Sequence, residues 1–251
     1  VDVEGLQEAL TRIEQRNLTL SQNRSKCPKC SKELETLEEQ RHNLCVGCLK
    51  AEIHQARIES VPSILADYGI PTKYRRMDWK LNEVLTPYLD TPRGVCMTGP
   101  VGVGKTVNLC LLARDWVVKW SRESEISPGD ILCYQLHERQ AESSWHFISF
   151  PRFVMEIQDA WRRGDEAETA MTLLRRVSDV PRLIIDDLGA EKLTDYFRQA
   201  IYFLLNEREQ WDRTTYLTTN FTLKQLDIQF DSRISSRIAW MCDIKALKGE
   251  D

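Results

Sequence analysis

No run in this sequence approaches the roughly eighteen consecutive apolar residues of a membrane-spanning helix, which excludes a span of that kind. Positive charge is not in excess either: 34 Lys and Arg stand against 38 Asp and Glu, for a net charge of −4. A protein coated in positive charge is thereby excluded, although a local basic groove is not. No internal repeat is visible, so solenoids and propellers are out. The first residues, "VDVEGLQEALTRIEQ", are acidic and amphipathic and lack the basic-then-apolar layout of a signal peptide. The expectation is a cytoplasmic protein with no membrane partner.

Cysteine is present, in two distinct distributions. Cys96, Cys110, Cys133 and Cys242 are scattered through apolar surroundings and read as small buried hydrophobes, not disulfides. Cys27, Cys30, Cys45 and Cys48 form C-x₂-C-x₁₄-C-x₂-C, a zinc-site spacing in which each tight turn offers two thiolates. Four sulfurs close a tetrahedron and leave no open position, so the metal's expected role is structural. His42 or His54 replacing a thiolate, an iron–sulfur cluster, or no metal are the alternatives.

Organisation follows from the apolar runs. Residues 1–20 carry Leu6, Leu10, Ile13 and Leu18 at roughly helical spacing. "SVP" and "GIPTKYRRMDW" mark a linker, giving a zinc-binding partner-interaction domain over 1–60 and a linker over 61–93. A nucleotide-binding domain is expected over 94–251. There, short apolar strands ("GVCMTG", "HFISF", "RLIIDD", "TTYLTTN", "CDIKAL") alternate with helical stretches, the pattern of an α/β fold with a parallel sheet covered on both faces. The polar 121–144 reads as an insertion.

"GPVGVGKT" fits G-x-x-x-x-G-K-[ST] as Gly99, Gly104, Lys105 and Thr106, between an apolar strand and a helix. Glycine here lets backbone N–H groups curl around phosphate oxygens, and the helix start adds donors and a favourable dipole. Candidate nucleotide contacts are therefore Gly99, Pro100, Val101, Gly102, Val103, Gly104, Lys105, Thr106 and Val107. Lys105 is expected at the β- and γ-phosphates and Thr106 on Mg²⁺. "RLIIDDLGAEK" ends a buried strand in two carboxylates: Asp186 is placed to hold Mg²⁺, and Asp187 to orient or deprotonate water, with Glu191 as substitute. "TTYLTTN" puts the Asn220 amide at a neighbouring strand end. In "DSRISSRIAW", Arg233 and Arg237 lie four apart on one helix face and could offer a guanidinium to a neighbouring subunit's γ-phosphate.

With the preface "GIPTKYRRMDW", these motifs resemble the DnaC/DnaI/IstB group of AAA+ ATPases over about residues 65–251. That group holds bacterial and phage helicase loaders and ATP-dependent helpers of transposases. The resemblance implies a Walker A motif at Gly99–Thr106, Walker B at Asp186 and Asp187, sensor 1 at Asn220, and an arginine finger at Arg237 supported by Arg233. It also implies a five-stranded sheet in AAA+ order. Asp187 departs from the glutamate common in AAA+ proteins. Fourteen residues after Arg237 leave no full helical lid or sensor 2 arginine, so slow, oligomer-dependent hydrolysis is expected. In DnaI-type loaders an amino-terminal zinc region contacts the replicative helicase; the acidic "ELETLEEQ" here agrees with a protein partner rather than nucleic acid.

The expected function is an ATP-dependent loader of a ring helicase onto DNA in replication. Its expected cofactors are ATP, Mg²⁺ and Zn²⁺, and its expected partners are the helicase, further copies of itself and single-stranded DNA. Arg162, Arg163, Arg175 and Arg176, with Trp161, are the candidate strand-binding residues. Rival readings are an IstB-like transposase helper, a small-molecule P-loop kinase and a non-catalytic nucleotide-binding zinc adaptor. The kinase would want an arginine-rich lid and has little use for Asn220 followed by the "SSRI" helix.

Overall fold

A computed structural model of the chain describes residues 26–34, 39, 43–123, 145–162, 167–189 and 194–248. They divide into two compact units: one takes the described residues up to Ser63 with 117–123, the other the remainder. The helix expected over 1–20, His42, Cys133, Arg163, Glu191 and most of 121–144 lie outside the described residues.

In the first unit, Cys27 and Cys30 flank a tight turn closed by Ser31 N donating to Cys27 O at 2.8 Å and Cys27 N donating to Lys32 O at 2.7 Å. Helix α1 (Val46–Glu59) begins at the second cysteine pair, with Cys45 as its N-cap. Glu39 accepts from Val46 N at 2.8 Å, occupying a donor that the helix start leaves unused. Cys27, Leu34, Leu44, Cys45 and Leu49 form a small apolar core. Among the described residues this core is small, the setting in which metal ligation can contribute most to a fold.

The stretch 61–93, expected as linker and entry to the nucleotide-binding domain, carries helices α2 (Val61–Asp67) and α3 (Thr72–Arg75) and a 3₁₀ turn over Glu83–Leu89. Pro62 and Pro71 sit at helix starts, where a missing N–H costs nothing, so proline here opens helices rather than excluding them.

In the second unit, five strands form one parallel sheet: β1 (Gly94–Thr98), β2 (Trp145–Ser149), β3 (Arg182–Asp186), β4 (Thr214–Thr219) and β5 (Cys242–Ala246). Their order is β2-β3-β4-β1-β5. This is the AAA+ order that the resemblance implies. The apolar run of β1 follows from burial on both faces, and β4 is buried just as fully although four of its six residues are Thr. At the β2 edge, Phe147 N donates to Tyr68 O at 2.7 Å, so the segment after α2 covers backbone that would otherwise be open.

The connecting helices are α4 (Lys105–Glu123), α5 (Phe150–Arg162), α6 (Ala167–Asp179), α7 (Asp195–Gln210), α8 (Leu223–Gln229) and α9 (Ser232–Met241). On α7, Phe197, Ile201, Leu204, Leu205 and Arg208 share a buried stripe of helical period. Arg208 is fully buried and has no carboxylate partner among the described residues. It donates to Thr215 Oγ1 at 2.8 Å and to the carbonyls of Thr214 (2.6 Å) and Val180 (2.8 Å), among others. The guanidinium thus ties α7, β4 and the α6–β3 turn at the end of the sheet opposite the candidate site. Of the scattered cysteines, Cys96, Cys110 and Cys242 are buried and free, and burial pushes each thiol up.

Candidate functional site

Parallel strands deliver their carboxyl ends to one edge, and the three central neighbours β3, β4 and β1 each end there in polar residues. The loop between β1 and α4 runs through Gly99, Gly102 and Gly104, all with φ in the left-handed half of the map. At Gly99 the glycine is obligatory for a second reason, since a Cβ would meet Leu247 O at 2.3 Å. Val101 at the loop tip is exposed; Pro100 and Val103 complete the turn, and Val107 lies in the first turn of α4.

The chemistry-bearing side chains form one connected network. Lys105 Nζ donates to Gly99 O (2.8 Å), Pro100 O (2.6 Å) and Asn220 Oδ1 (2.8 Å). Asn220 Nδ2 donates to Asp187 Oδ1 at 3.1 Å. Thr106 Oγ1 donates to Asp186 Oδ1 at 2.7 Å. Burial pulls the Lys105 ammonium down, opposed by Asp187 and Asp186. Burial also pushes Asp186 up, against the hydroxyls of Thr106 and Thr218 that hold its charged form. A strand-end carboxylate beside a loop hydroxyl can ligate a hard cation. An ammonium and a helix start beside them can bind phosphate. The residues present fit a Mg²⁺–triphosphate.

The two helical arginines are placed differently. Arg233, 65% exposed in its side chain, pairs with Asp231, whose carboxylate also N-caps α9. Arg237, 20% exposed, donates to Asn206 Oδ1 (2.8 Å), Tyr202 Oη (3.1 Å) and Arg233 O (3.2 Å). Its Nε lies 3.0 Å from Glu209 Oε2, an ion-pair contact with the N–H aimed elsewhere. Both guanidiniums lie against Tyr202, at 4.8 and 4.5 Å from the ring centroid. Neither arginine is hydrogen-bonded to the Lys105 network among the described residues.

Among the strand-binding candidates, Arg175 and Arg176 are exposed on α6. Arg162 is the last residue of α5.

In the first unit the sulfurs of Cys27, Cys30, Cys45 and Cys48 all lie within 4.8 Å of one another. A tetrahedron of about 2.3 Å zinc–sulfur bonds would place sulfurs about 3.8 Å apart, so slight contraction closes the set. Cys27 is drawn down to about 6: burial opposes its charge, but backbone N–H groups of Cys45, Cys30 and Lys29 outweigh it. A sulfur already favoured as thiolate suits a metal. His54 is engaged elsewhere, with Nδ1 2.5 Å from Ser121 O.

Thr218 and Thr219 are the site residues that the motifs do not single out. Only the alternation of β4, which puts Thr218 on the same face as Asn220, points to the first of them.

No protein-family model matches the chain. The replicative helicase loader DnaI of Bacillus subtilis (strain 168) is 24% identical over 186 residues, covering 68% of this chain and 51% of that protein. The chain thus spans about half the length of this curated relative. Among solved structures, a suspected primosome component from Streptococcus pyogenes serotype M3 superposes with a TM-score of 0.52 at 18% identity, over 75% of this chain and 97% of that one. A DnaC helicase loader superposes at 0.47 and 14% identity, over 93% and 99%.

Proposed function

We propose, from the premise that this chain is a DnaC/DnaI-like AAA+ protein, that it binds Mg²⁺–ATP, hydrolyses it slowly and loads a ring-shaped replicative helicase onto DNA. The observation carrying this reading is the single network that joins Lys105, Thr106, Asp186, Asp187 and Asn220. Lys105 moves from its own loop carbonyls to the β- and γ-phosphates, which Gly99–Gly104 and the start of α4 surround. Thr106 and Asp186 hold Mg²⁺, which when bound offsets charge on the phosphates. Asp187 accepts a proton from, or orients, the attacking water, and Asn220 reports the phosphate to both Lys105 and Asp187.

Arg237, or Arg233 beside it, serves the site of an adjacent copy, so activity depends on self-association. Arg237 must leave Glu209 and Asn206 to do so, and this favours slow turnover. The four cysteines hold zinc structurally within the 1–60 domain, which faces the helicase; 61–93 leads into the ATPase over 94–251. Arg162, Arg163, Arg175 and Arg176 track single-stranded DNA. A cytoplasmic location follows from that role.

The test is a loading assay on circular single-stranded DNA with the partner ring helicase. Wild-type protein with ATP should increase DNA-bound helicase, and Lys105→Ala should not. No increase with wild type, while it still binds ATP, would contradict the loader role and leave the adaptor or transposase-helper readings.

A further inference from the structure

The motifs mark the ends of β3 and β4, but one hydroxyl lies between them. Thr218 is 1% exposed. Its Oγ1 donates to Asp186 Oδ1 at 2.7 Å and accepts from Asp187 N at 2.7 Å. Its carbonyl accepts from Leu188 N at 2.8 Å. Three consecutive residues of the acidic loop are therefore held by one threonine.

Two features show what that hold does. First, Asp187 has φ +61°, a left-handed conformation that is uncommon for a non-glycine residue, though Asp tolerates it better than most. The bonds from Asp187 N and Leu188 N to Thr218 bracket that residue on both sides. With the backbone so turned, the Asp187 carboxylate meets Asn220 Nδ2. Second, the hydroxyls of Thr106 and Thr218 both take Oδ1 of Asp186, while Oδ2 receives no hydrogen bond from the described residues. The two hydroxyls thus fix the carboxylate through one of its oxygens.

We propose that Thr218 is a positioning residue of the nucleotide site, its hydroxyl orienting Asp186 toward Mg²⁺ and locking the Asp187 backbone in the conformation that turns its carboxylate to Asn220. This rests on the Mg²⁺–ATP reading above. Thr219 supports the same loop from the other face of β4 by donating to Leu188 O at 2.8 Å, but it touches neither carboxylate.

The experiment compares Thr218→Val, which keeps the shape and removes the hydroxyl, with Thr218→Ser, which keeps the hydroxyl and removes the methyl. Steady-state ATP hydrolysis by the full chain is measured against ATP and against Mg²⁺. Loss of a group that orients a metal ligand costs about ten- to a hundredfold. Thr218→Val should show that loss in kcat, with the half-saturating Mg²⁺ concentration raised and KM for ATP within about twofold; Thr218→Ser should stay within about threefold of wild type. Thr218→Val matching wild type would overturn the proposal. So would Thr218→Ser falling as far as Thr218→Val, which would make packing the cause. Should wild type bind a fluorescent ATP analogue without hydrolysing ATP, the ATPase reading fails by itself. The Mg²⁺ dependence of analogue binding then decides on Thr218: weakened in Thr218→Val supports it, unchanged overturns it.

Discussion

At the scale of single residues, the candidate site combines groups close in sequence with groups brought from far along the chain. Gly99, Gly104, Lys105 and Thr106 lie within eight positions, and the proposed ligand explains why: a phosphate is small, and one turn of backbone can surround it. Thr218 was not legible, because a threonine in a strand is ordinary and its value lies in two partners more than thirty positions away. Arg208 was hidden for the opposite reason: "NEREQ" looks like a solvated helix end, yet the helical period turns this one charge inward. Removing its guanidinium leaves several buried carbonyls without a donor. Arg208→Met is therefore expected to cost about 3 kcal/mol or more, with melting lowered by about 6–12 °C. A thermal melt within 2 °C or so of wild type would contradict that role for the guanidinium.

Among elements, the strands were legible from their apolar runs, whereas α2 and α3 were not, since proline and glycine in 61–93 suggested linker rather than helix starts. The α7–α9 contact was equally invisible, because nothing in "SSRI" announces a tyrosine, an asparagine and a glutamate on another helix. That contact predicts different consequences for two arginines on one helix face. Arg237→Ala loses packed hydrogen bonds and a ring contact, worth about 1–2 kcal/mol and about 2–8 °C in melting temperature. Arg233→Ala removes an exposed ion pair and an exposed contact with the same Tyr202 ring but no packed hydrogen bonds, and should shift melting by less, about 1–3 °C at most. Equal shifts would show that the contact has been misjudged.

A second contact between elements sets a pH dependence. Asp243 on β5 accepts from Arg93 Nε at 2.6 Å and from Tyr88 Oη at 2.7 Å. Arg93 first, then Tyr88, hold its carboxyl below the ordinary range. A depressed carboxylate contributes stability that is present above its unfolded value, about 3.9, and lost as pH falls through the folded one. The pair is well exposed, so the contribution is expected to be under about 1 kcal/mol. Asp243→Asn should flatten the acid limb of stability below about pH 4, measured by denaturant titration. An unchanged acid limb would assign it to other groups.

For the whole molecule, the two units are expected to answer to different ligands. The first has a small core and four converging thiols, and chelation in solution should melt it while leaving the sheet of the second intact. Far-ultraviolet circular dichroism and zinc release during chelation read this directly; a first unit indifferent to metal removal would leave the cysteines without a structural role. What no single chain can display is the shared site on which the loader reading depends. Its test is the ATP turnover of two silent variants, mixed. Lys105→Ala is expected to lose nucleotide but keeps its arginines, and the double variant Arg237→Ala/Arg233→Ala keeps the phosphate loop but lacks the guanidiniums. The account predicts little turnover from either alone and recovery on mixing, rising with protein concentration. No recovery, or wild-type turnover per molecule that does not change on dilution, would contradict it.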